Sequence, residues 1–299
     1  MGRGTVGMTA SVSGTGPDGT PSAGPALVER LVVRPVQDWL THLGRFVIFV
    51  GQSVWYLPAT MRVYGKQTLS VLHNLAWGRG VLVRGGVVST MLLLGFAIGA
   101  VMAMETYAGL DTVGFGALTG AVGGLASVRE MAPIAAGVAF AAQAGCRMTA
   151  EVGAMRSSEE LDALEALGIR SIPFVVGTRL VGGMLCVVPA FLVTLLLSFI
   201  VSRVLVTVAR GQSVGTYNHY FIQFVDPRDI AFATVKVLIF TAAVTIIHCY
   251  YGFFSDGGPS GIGVASGRAV RASLVVIILL DMVITILLWG LVPSYTFRG

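Results

Sequence analysis

Long apolar runs alternate with short charged stretches through most of the chain. Runs with almost no charged residue cover residues 85–104, 180–202 and 237–255, and a fourth extends from Arg271 to Phe297 with only Asp281 inside it. A helix needs roughly 20 consecutive apolar residues to cross the hydrocarbon core of a bilayer. Each of these runs is therefore predicted to be a membrane-spanning helix.

A fifth apolar run, residues 112–146, is longer and carries Arg129 and Glu130 near its middle. Either a helix starts at this pair after a glycine-rich outer loop, or a longer helix holds the pair at membrane depth. Charge spacing leaves both alternatives open. Because charges in hydrocarbon are costly unless they pair or face water, the second alternative makes the pair a candidate functional site. Asp281 has two alternative roles: a buried acceptor that joins helices, or part of a substrate path.

The first 80 residues have a different pattern. Residues 1–25 are rich in glycine, serine, threonine and proline and contain no apolar run, so they are predicted to be disordered. In residues 26–80, the stretch 36–55 has apolar side chains at helical spacing with polar ones between them, which is typical of a helix lying in the membrane interface. Pro58 interrupts it, and a second interfacial segment follows. Residues 81–299 form the predicted membrane domain.

A short acidic segment separates the second and third predicted spans. Ser157 and Glu160 have the spacing of a capping box, and Gly168 is a typical helix stop, so a helix of roughly ten residues is predicted. Leucines fall on one stripe and carboxylates on the other sides; the residues concerned are Glu159, Glu160, Leu161, Asp162, Leu164, Glu165 and Leu167. The segment is either a solvated connector or a docking surface, and four clustered carboxylates in a basic protein favour docking.

Small residues recur every fourth position just before this segment. They are Pro133, Gly137, Ala141, Gly145, Thr149 and Gly153. Such a face lets helix backbones approach closely in lipid, where apolar burial does not drive association. It indicates either packing inside this chain or packing near a dimer seam.

Composition agrees with a membrane protein. The chain is 55% hydrophobic and 12% charged, with a mean hydropathy of +0.80. Its net charge of +5 is spread over loops, which argues against a nucleic-acid partner. The three cysteines are isolated in apolar segments and suggest neither a disulfide framework nor a metal site. Lys66 and Lys236 both lack the context of a phosphate-binding loop, so the chain is not expected to hydrolyse ATP itself.

The basic residues predict the orientation of the chain. They cluster in three regions. Before the first span lie Arg30, Arg34, Arg45, Arg62, Lys66, Arg79 and Arg84; around the acidic segment lie Arg147, Arg156, Arg170 and Arg179; and before the last span lie Arg268 and Arg271. Placing these regions in the cytoplasm satisfies the positive-inside rule, with the N-terminus inside, the C-terminus outside and the acidic segment in the cytoplasm. Residues 210–228, rich in aromatics, would then be external, either as an interface anchor or as a surface for a partner.

Three motifs resemble the signature of the MlaE/YrbE permease family. They are R-E-M-A-P at 129–133, A-E-V-G-A-M at 150–155 and E-E-L-D-A-L-E-A-L-G at 159–168. The chain departs from the family pattern at Met131-Ala132, and at 142–145, where many relatives have a Gly-Arg pair. The resemblance runs from about Trp39 to the C-terminus and is closest to the YrbE subunits that accompany Mce proteins in mycobacteria and their relatives.

This resemblance implies an all-α polytopic protein of the bacterial inner membrane that acts as the permease of an ABC-type lipid transporter. The implied partners are a second YrbE-type permease in a heterodimer, a cytoplasmic MlaF-like ATPase dimer that carries ATP and Mg, and an Mce protein oligomer outside. The implied lipids are phospholipids, fatty or mycolic acids, or sterols, and the chain itself is expected to bind no cofactor. The alternative is a secondary transporter or channel driven by an ion gradient, for which Asp281, His248 and Glu130 are the candidate titratable groups.

Overall fold

The computed structural model describes residues 34–78 and 86–290, so the predicted tail and the last residues lie outside the described ranges. The described residues form helices and no strand. In chain order these are α1 Arg34–Trp55, α2 Leu57–Val63, α3 Gly65–Trp77, α4 Val87–Asp111, α5 Gly116–Ser157, α6 Glu160–Ala166, α7 Ile172–Ala209, α8 Val214–Phe224, α9 Pro227–Phe253 and α10 Gly258–Trp289. The chain divides into two units, residues 1–48 and 49–299, and the five long apolar helices all belong to the second.

Five of the described helices are long and apolar enough to cross a membrane: α4, α5, α7, α9 and α10. The predicted all-α polytopic class and the number of spans are confirmed. Several predicted boundaries are wrong. Helix α4 extends to Asp111 instead of residue 104, and α7 runs from Ile172 to Ala209 instead of 180–202. Helix α9 begins at Pro227, where the Asp226 side chain accepts a bond from the Arg228 N–H at 2.9 Å, so it includes Lys236. Helix α10 begins at Gly258, so Arg271 lies inside it instead of before it.

Helix α5 continues unbroken through the stretch where the sequence allowed a loop. It includes wider π-helical turns at Ser127–Met131 and Ala141–Gly145. Such turns occur frequently at functional sites. The first of them carries Arg129 and Glu130, so the pair sits within a long helix, as the second alternative proposed.

The acidic segment forms α6, which has seven residues instead of roughly ten. The predicted capping box is wrong: Ser157 is the last residue of α5, and Glu159 takes the cap position with φ of +57° and no side-chain cap bond. The reason is that α5 continues past the predicted start. The predicted stop is confirmed, because Gly168 has φ of +75° and its N–H bonds to the Glu165 carbonyl at 3.0 Å.

The predicted leucine stripe is not a single buried face. Leu161 is buried, Leu164 is half-buried and Leu167 is 76% exposed. Two side-chain contacts attach α6 to its surroundings: Arg156 pairs with Asp162 at 3.0 Å, and Ser171 donates to Glu165 at 2.6 Å. Helix α6 is therefore fastened to the ends of both α5 and α7.

All six small residues of the predicted stripe are buried within this chain. Gly137 faces Phe240 and Ile277, Gly145 faces the His248 ring, and Gly153 faces Ile262. The stripe therefore packs against α9 and α10. Packing inside the chain accounts for it without a dimer seam.

We expect Gly145→Ala to destabilise the protein, because the added carbon would lie 2.6 Å from ring atoms of His248. That ring is held by Thr149, whose Oγ1 lies 2.8 Å from Nδ1. Overpacking of this kind costs about 1–3 kcal/mol, which should appear as a lower Tm in detergent. Gly267→Ala on α10 is the control, since a carbon there meets open space and alanine is favoured over glycine inside a helix. Equal Tm values for the two variants would contradict the packing role.

Candidate functional site: a charged cluster beside an apolar cavity

Lys236 is the centre of a buried polar cluster. Its side chain is 0% exposed, although it lies on a helix that is apolar enough to cross a membrane. The Nζ atom donates to the Arg129 carbonyl at 2.8 Å and to the Thr285 hydroxyl at 2.7 Å. It also pairs with Glu130 at 3.2 Å and with Asp281 at 2.6 Å. One lysine thus joins α9 to α5 and α10.

Arg129 is held by a second set of contacts beside the first. Its Nη2 pairs with Asp229 at 3.0 Å, and its guanidinium carbon lies 5.4 Å from the centre of the Trp289 ring. The Trp289 Nε1–H donates to the other oxygen of Asp229 at 2.6 Å. Arg129 therefore combines an ion pair with a cation–π contact, and the same three helices take part.

The cluster places three carboxylates against two cations. Asp229 faces Arg129, whereas Glu130 and Asp281 share Lys236, and Thr285 donates to Glu130 at 3.0 Å. Charges in a low-dielectric interior are tolerated when they are paired and hydrogen-bonded, and removal of one partner leaves the other uncompensated. Each of the charged side chains consequently depends on the positions of the others.

An apolar cavity of about 670 Å³ adjoins this cluster. Leu118, Val122 and Leu125 of α5 contribute to its apolar wall, together with Phe224 of α8. At the other side it is lined by Arg129, Glu130, Thr285 and Trp289. An apolar cavity with a few convergent polar groups is the usual form of a small-molecule site. This one suits an amphiphile, with hydrocarbon against the leucines and a polar group near the cluster.

The structure brings together Arg129, Glu130 and Asp281, which the sequence proposed as intramembrane polar groups, and it supplies their partners. Sequence reasoning missed Lys236, Asp229, Thr285 and Trp289. Lys236 carried a usable signal, since an ionisable residue beside a membrane span is a functional candidate. It was overlooked because the predicted span began one residue later. Thr285 and Trp289 carried no comparable signal.

Helix α6 follows the Ser157 end of α5, whereas the charged cluster lies inside that helix, nearer its Gly116 end. The 27 residues from Glu130 to Ser157 correspond to roughly 40 Å at 1.5 Å per residue. The end near α6 has its own charged group: Glu151 pairs with Arg147 at 2.8 Å and with Arg179 at 3.2 Å. Arg147 also donates to the Asn74 carbonyl at 2.8 Å. These contacts join α5 to α7 and α3.

The structure offers no grouping suited to a metal in the part of the chain it describes. Across residues 34–78 and 86–290, no three histidine, cysteine, aspartate or glutamate side chains come together in a way that could hold an ion. The chemistry available at the site is ion pairing and hydrogen bonding beside an apolar surface.

Comparison with known proteins identifies the family. A family model described as "Permease MlaE" matches residues 81–287, which is most of the chain. The chain belongs to the MlaE permease family. The matched residues include the charged groups of the cluster and α6, whereas Trp289 lies just beyond them. The resemblance seen in the three motifs is confirmed.

Individual relatives agree with this assignment. The chain is 30% identical over 199 residues to a probable ABC transporter permease protein of Rickettsia bellii, which covers 64% of this chain and 73% of the relative. It is 29% identical over 269 residues to the intermembrane phospholipid transport system permease protein MlaE of Haemophilus influenzae. That match covers 86% of this chain and 95% of the relative. It is also 27% identical over 208 residues to the chloroplastic protein TRIGALACTOSYLDIACYLGLYCEROL 1 of Arabidopsis thaliana. That match covers 70% of this chain and 57% of the relative.

Proposed function

We propose that this MlaE-family permease moves lipids as part of an ABC-type transporter of the Mce system, and that the cavity beside Lys236 receives the lipid. The observation that carries the proposal is the apolar cavity of about 670 Å³ that ends at a charged cluster. The relatives from Haemophilus influenzae and Rickettsia bellii are named as a phospholipid transport permease and a probable ABC transporter permease, which supports lipid as cargo and ATP as the energy source.

Helix α6 is the proposed contact with the ATPase. Glu159, Glu160 and Leu167 are exposed on it, whereas Leu161 is buried and fastens it to the rest of the chain. A partner can therefore bind the exposed face of α6 without disturbing the packing of Leu161 on its buried face. The proposed partner is a cytoplasmic MlaF-like ATPase dimer that carries ATP and Mg, which places α6 and the N-terminus in the cytoplasm and the C-terminus outside.

Helix α5 links the two sites mechanically in this proposal. Closure of the ATPase dimer pushes on α6, and α5 transmits the displacement along its length to Arg129 and Glu130. The π-helical turn at Ala141–Gly145 interrupts its regular hydrogen bonding on the way, and the one at Ser127–Met131 contains the charged pair itself. A small shift there changes the wall of the cavity, because both charged residues line it. The lipid then leaves toward an Mce oligomer outside, or enters from it.

The lipid class and the second permease are carried over from the family resemblance. A heterodimer with a distinct YrbE-type chain is proposed, with phospholipids, fatty or mycolic acids, or sterols as the cargo. The apolar wall of the cavity is compatible with the hydrocarbon part of each of these.

The clustered ionisable groups Lys236, Glu130 and Asp281, of which the lysine and the aspartate are buried, are the observation that favours the alternative, a transporter or channel driven by an ion gradient. Intramembrane titratable groups are typical of that class. The two mechanisms differ in their energy source, so a single assay separates them.

We expect lipid transfer by the native complex to require ATP hydrolysis. The complex would be reconstituted in proteoliposomes containing fluorescent phospholipid, and transfer would be followed with ATP, with a non-hydrolysable analogue and with ionophores that collapse ion gradients. Transfer should occur only with ATP and should survive the ionophores. Transfer that continues without ATP and stops with the ionophores would establish the alternative.

A further inference from the structure

A second apolar recess lies on a different part of the molecule, between α3, α4 and α7. A groove of about 470 Å³ is lined by Leu72 and Ala76 of α3, Leu92 of α4, and Pro189 and Val193 of α7, among others. It adjoins a recess of about 400 Å³ that shares Ala76 and Leu92 with it. None of the residues lining these recesses lines the cavity beside Lys236. We refer to the two adjoining recesses as the α3 groove.

The α3 groove runs along the membrane-spanning helices. Gly95 of α4 lies against Thr194 of α7 and Gly99 lies against Ser198, so the two helices run side by side in the same direction. The α7 residues lining the groove extend from Leu185 to Leu197. At 1.5 Å per residue, this is roughly 18 Å. Half of a bilayer's hydrocarbon core is about 15 Å thick, so the groove is about as long as one acyl chain in one leaflet.

The polarity of the groove changes from one end to the other. Leu72 lies against Gly182, so its neighbour His73, which also lines the groove, is near the Leu185 end. The opposite end is lined by Phe96 and Leu197. A hydrogen-bonding side chain at one end of an aliphatic trough matches an amphiphile with a polar head and a single extended tail.

We propose that the α3 groove is a second lipid site, which holds one acyl chain of a bilayer lipid with the headgroup end of that chain toward His73. The bound lipid would fasten α3 to the first and third spans. The site needs only insertion of the chain into a membrane and is independent of the proposed transport cycle. Its ligand is a structural lipid, whereas the cavity beside Lys236 receives cargo.

Photo-cross-linking tests the site directly. The purified permease complex would be reconstituted in phosphatidylcholine vesicles that contain phosphatidylcholine with a diazirine near the end of one acyl chain, without ATP. Because the tail end of the bound chain points away from His73, we expect cross-links to concentrate at the other end of the groove, on residues 92–96 and 193–197. Val193→Trp should abolish most of them, because Val193 is 46% exposed and an indole there would fill the groove. Val275→Trp is the matched control on α10, where the valine is 59% exposed outside the groove, and it should leave them unchanged.

Two outcomes would overturn the proposal. Cross-linking of the exposed face of α10 to the same extent as the groove would show only the lipid shell that surrounds any membrane protein. Absence of groove cross-links in the complex, with their appearance in the isolated chain, would show that another subunit covers the groove. Both outcomes leave the ATP-dependence of transport untouched, so this site and the transport proposal can fail separately.

Discussion

Lys236→Met is expected to prevent assembly of a stable permease. The lysine is fully buried and is the shared partner of Glu130 and Asp281, so its removal leaves two carboxylates facing each other without a cation. Breaking a buried pair in this way costs about 3–5 kcal/mol, which is a large part of the stability of a typical domain. Methionine has a similarly long, unbranched side chain, so the loss would come from the charge and not from a cavity. The measurement is the yield of folded complex in size-exclusion chromatography after extraction in detergent.

Neutral variants of the same cluster separate structure from transport. The combination Lys236→Met, Glu130→Gln and Asp281→Asn removes the three charges together, so it should assemble while failing to transfer lipid. Glu130→Gln alone leaves Lys236 paired with Asp281 at 2.6 Å, and we expect normal assembly with reduced transfer. Normal transfer by Glu130→Gln would exclude a role for this carboxylate in the lipid path. Failure of Glu130→Gln to assemble would instead assign the cluster a structural role.

Charge reversal on α6 is expected to uncouple the permease from its ATPase. In the combined variant Glu159→Lys, Glu160→Lys and Glu165→Lys, repulsion replaces attraction at several points of the proposed docking surface. A single charge at the rim of an interface contributes little to binding, so all three substitutions are needed to produce the effect. The variant should insert and still pair with the second permease, yet lose the ATPase on purification and fail to stimulate ATP turnover.

Two controls accompany this variant. Ser171→Ala removes the 2.6 Å bond to Glu165 without changing any charge, so it tests whether loss of that contact alone detaches the ATPase. Asp256→Lys reverses one exposed charge in the connection between α9 and α10, outside α6. Both controls should retain the ATPase. If the α6 variant co-purified with a fully active ATPase, α6 would be only a solvated connector.

The two ends of α6 show where local sequence signals succeed and fail. Its stop was predictable, because glycine adopts the left-handed conformation that ends a helix and Gly168 does so with φ of +75°. Its start was not predictable from the capping box, because α5 extends to Ser157. Gly153, one turn before Ser157 in α5, packs against Ile262 of α10. A long-range packing contact of this kind favours continuing α5, whereas the capping box favours starting a new helix at Ser157.

The sequence by itself determined the protein class, the number of spans, the acidic helix between the second and third of them, and the family. Each of these depends on composition or on neighbouring residues, so contiguous patterns suffice. Only the tertiary structure decided which partner each charged group has. Lys236 and Glu130 are 106 residues apart, and Thr285 is 155 residues from Glu130. Their contact depends on how α5, α9 and α10 are rotated against one another, and that rotation follows from packing between helices, which no local spacing encodes.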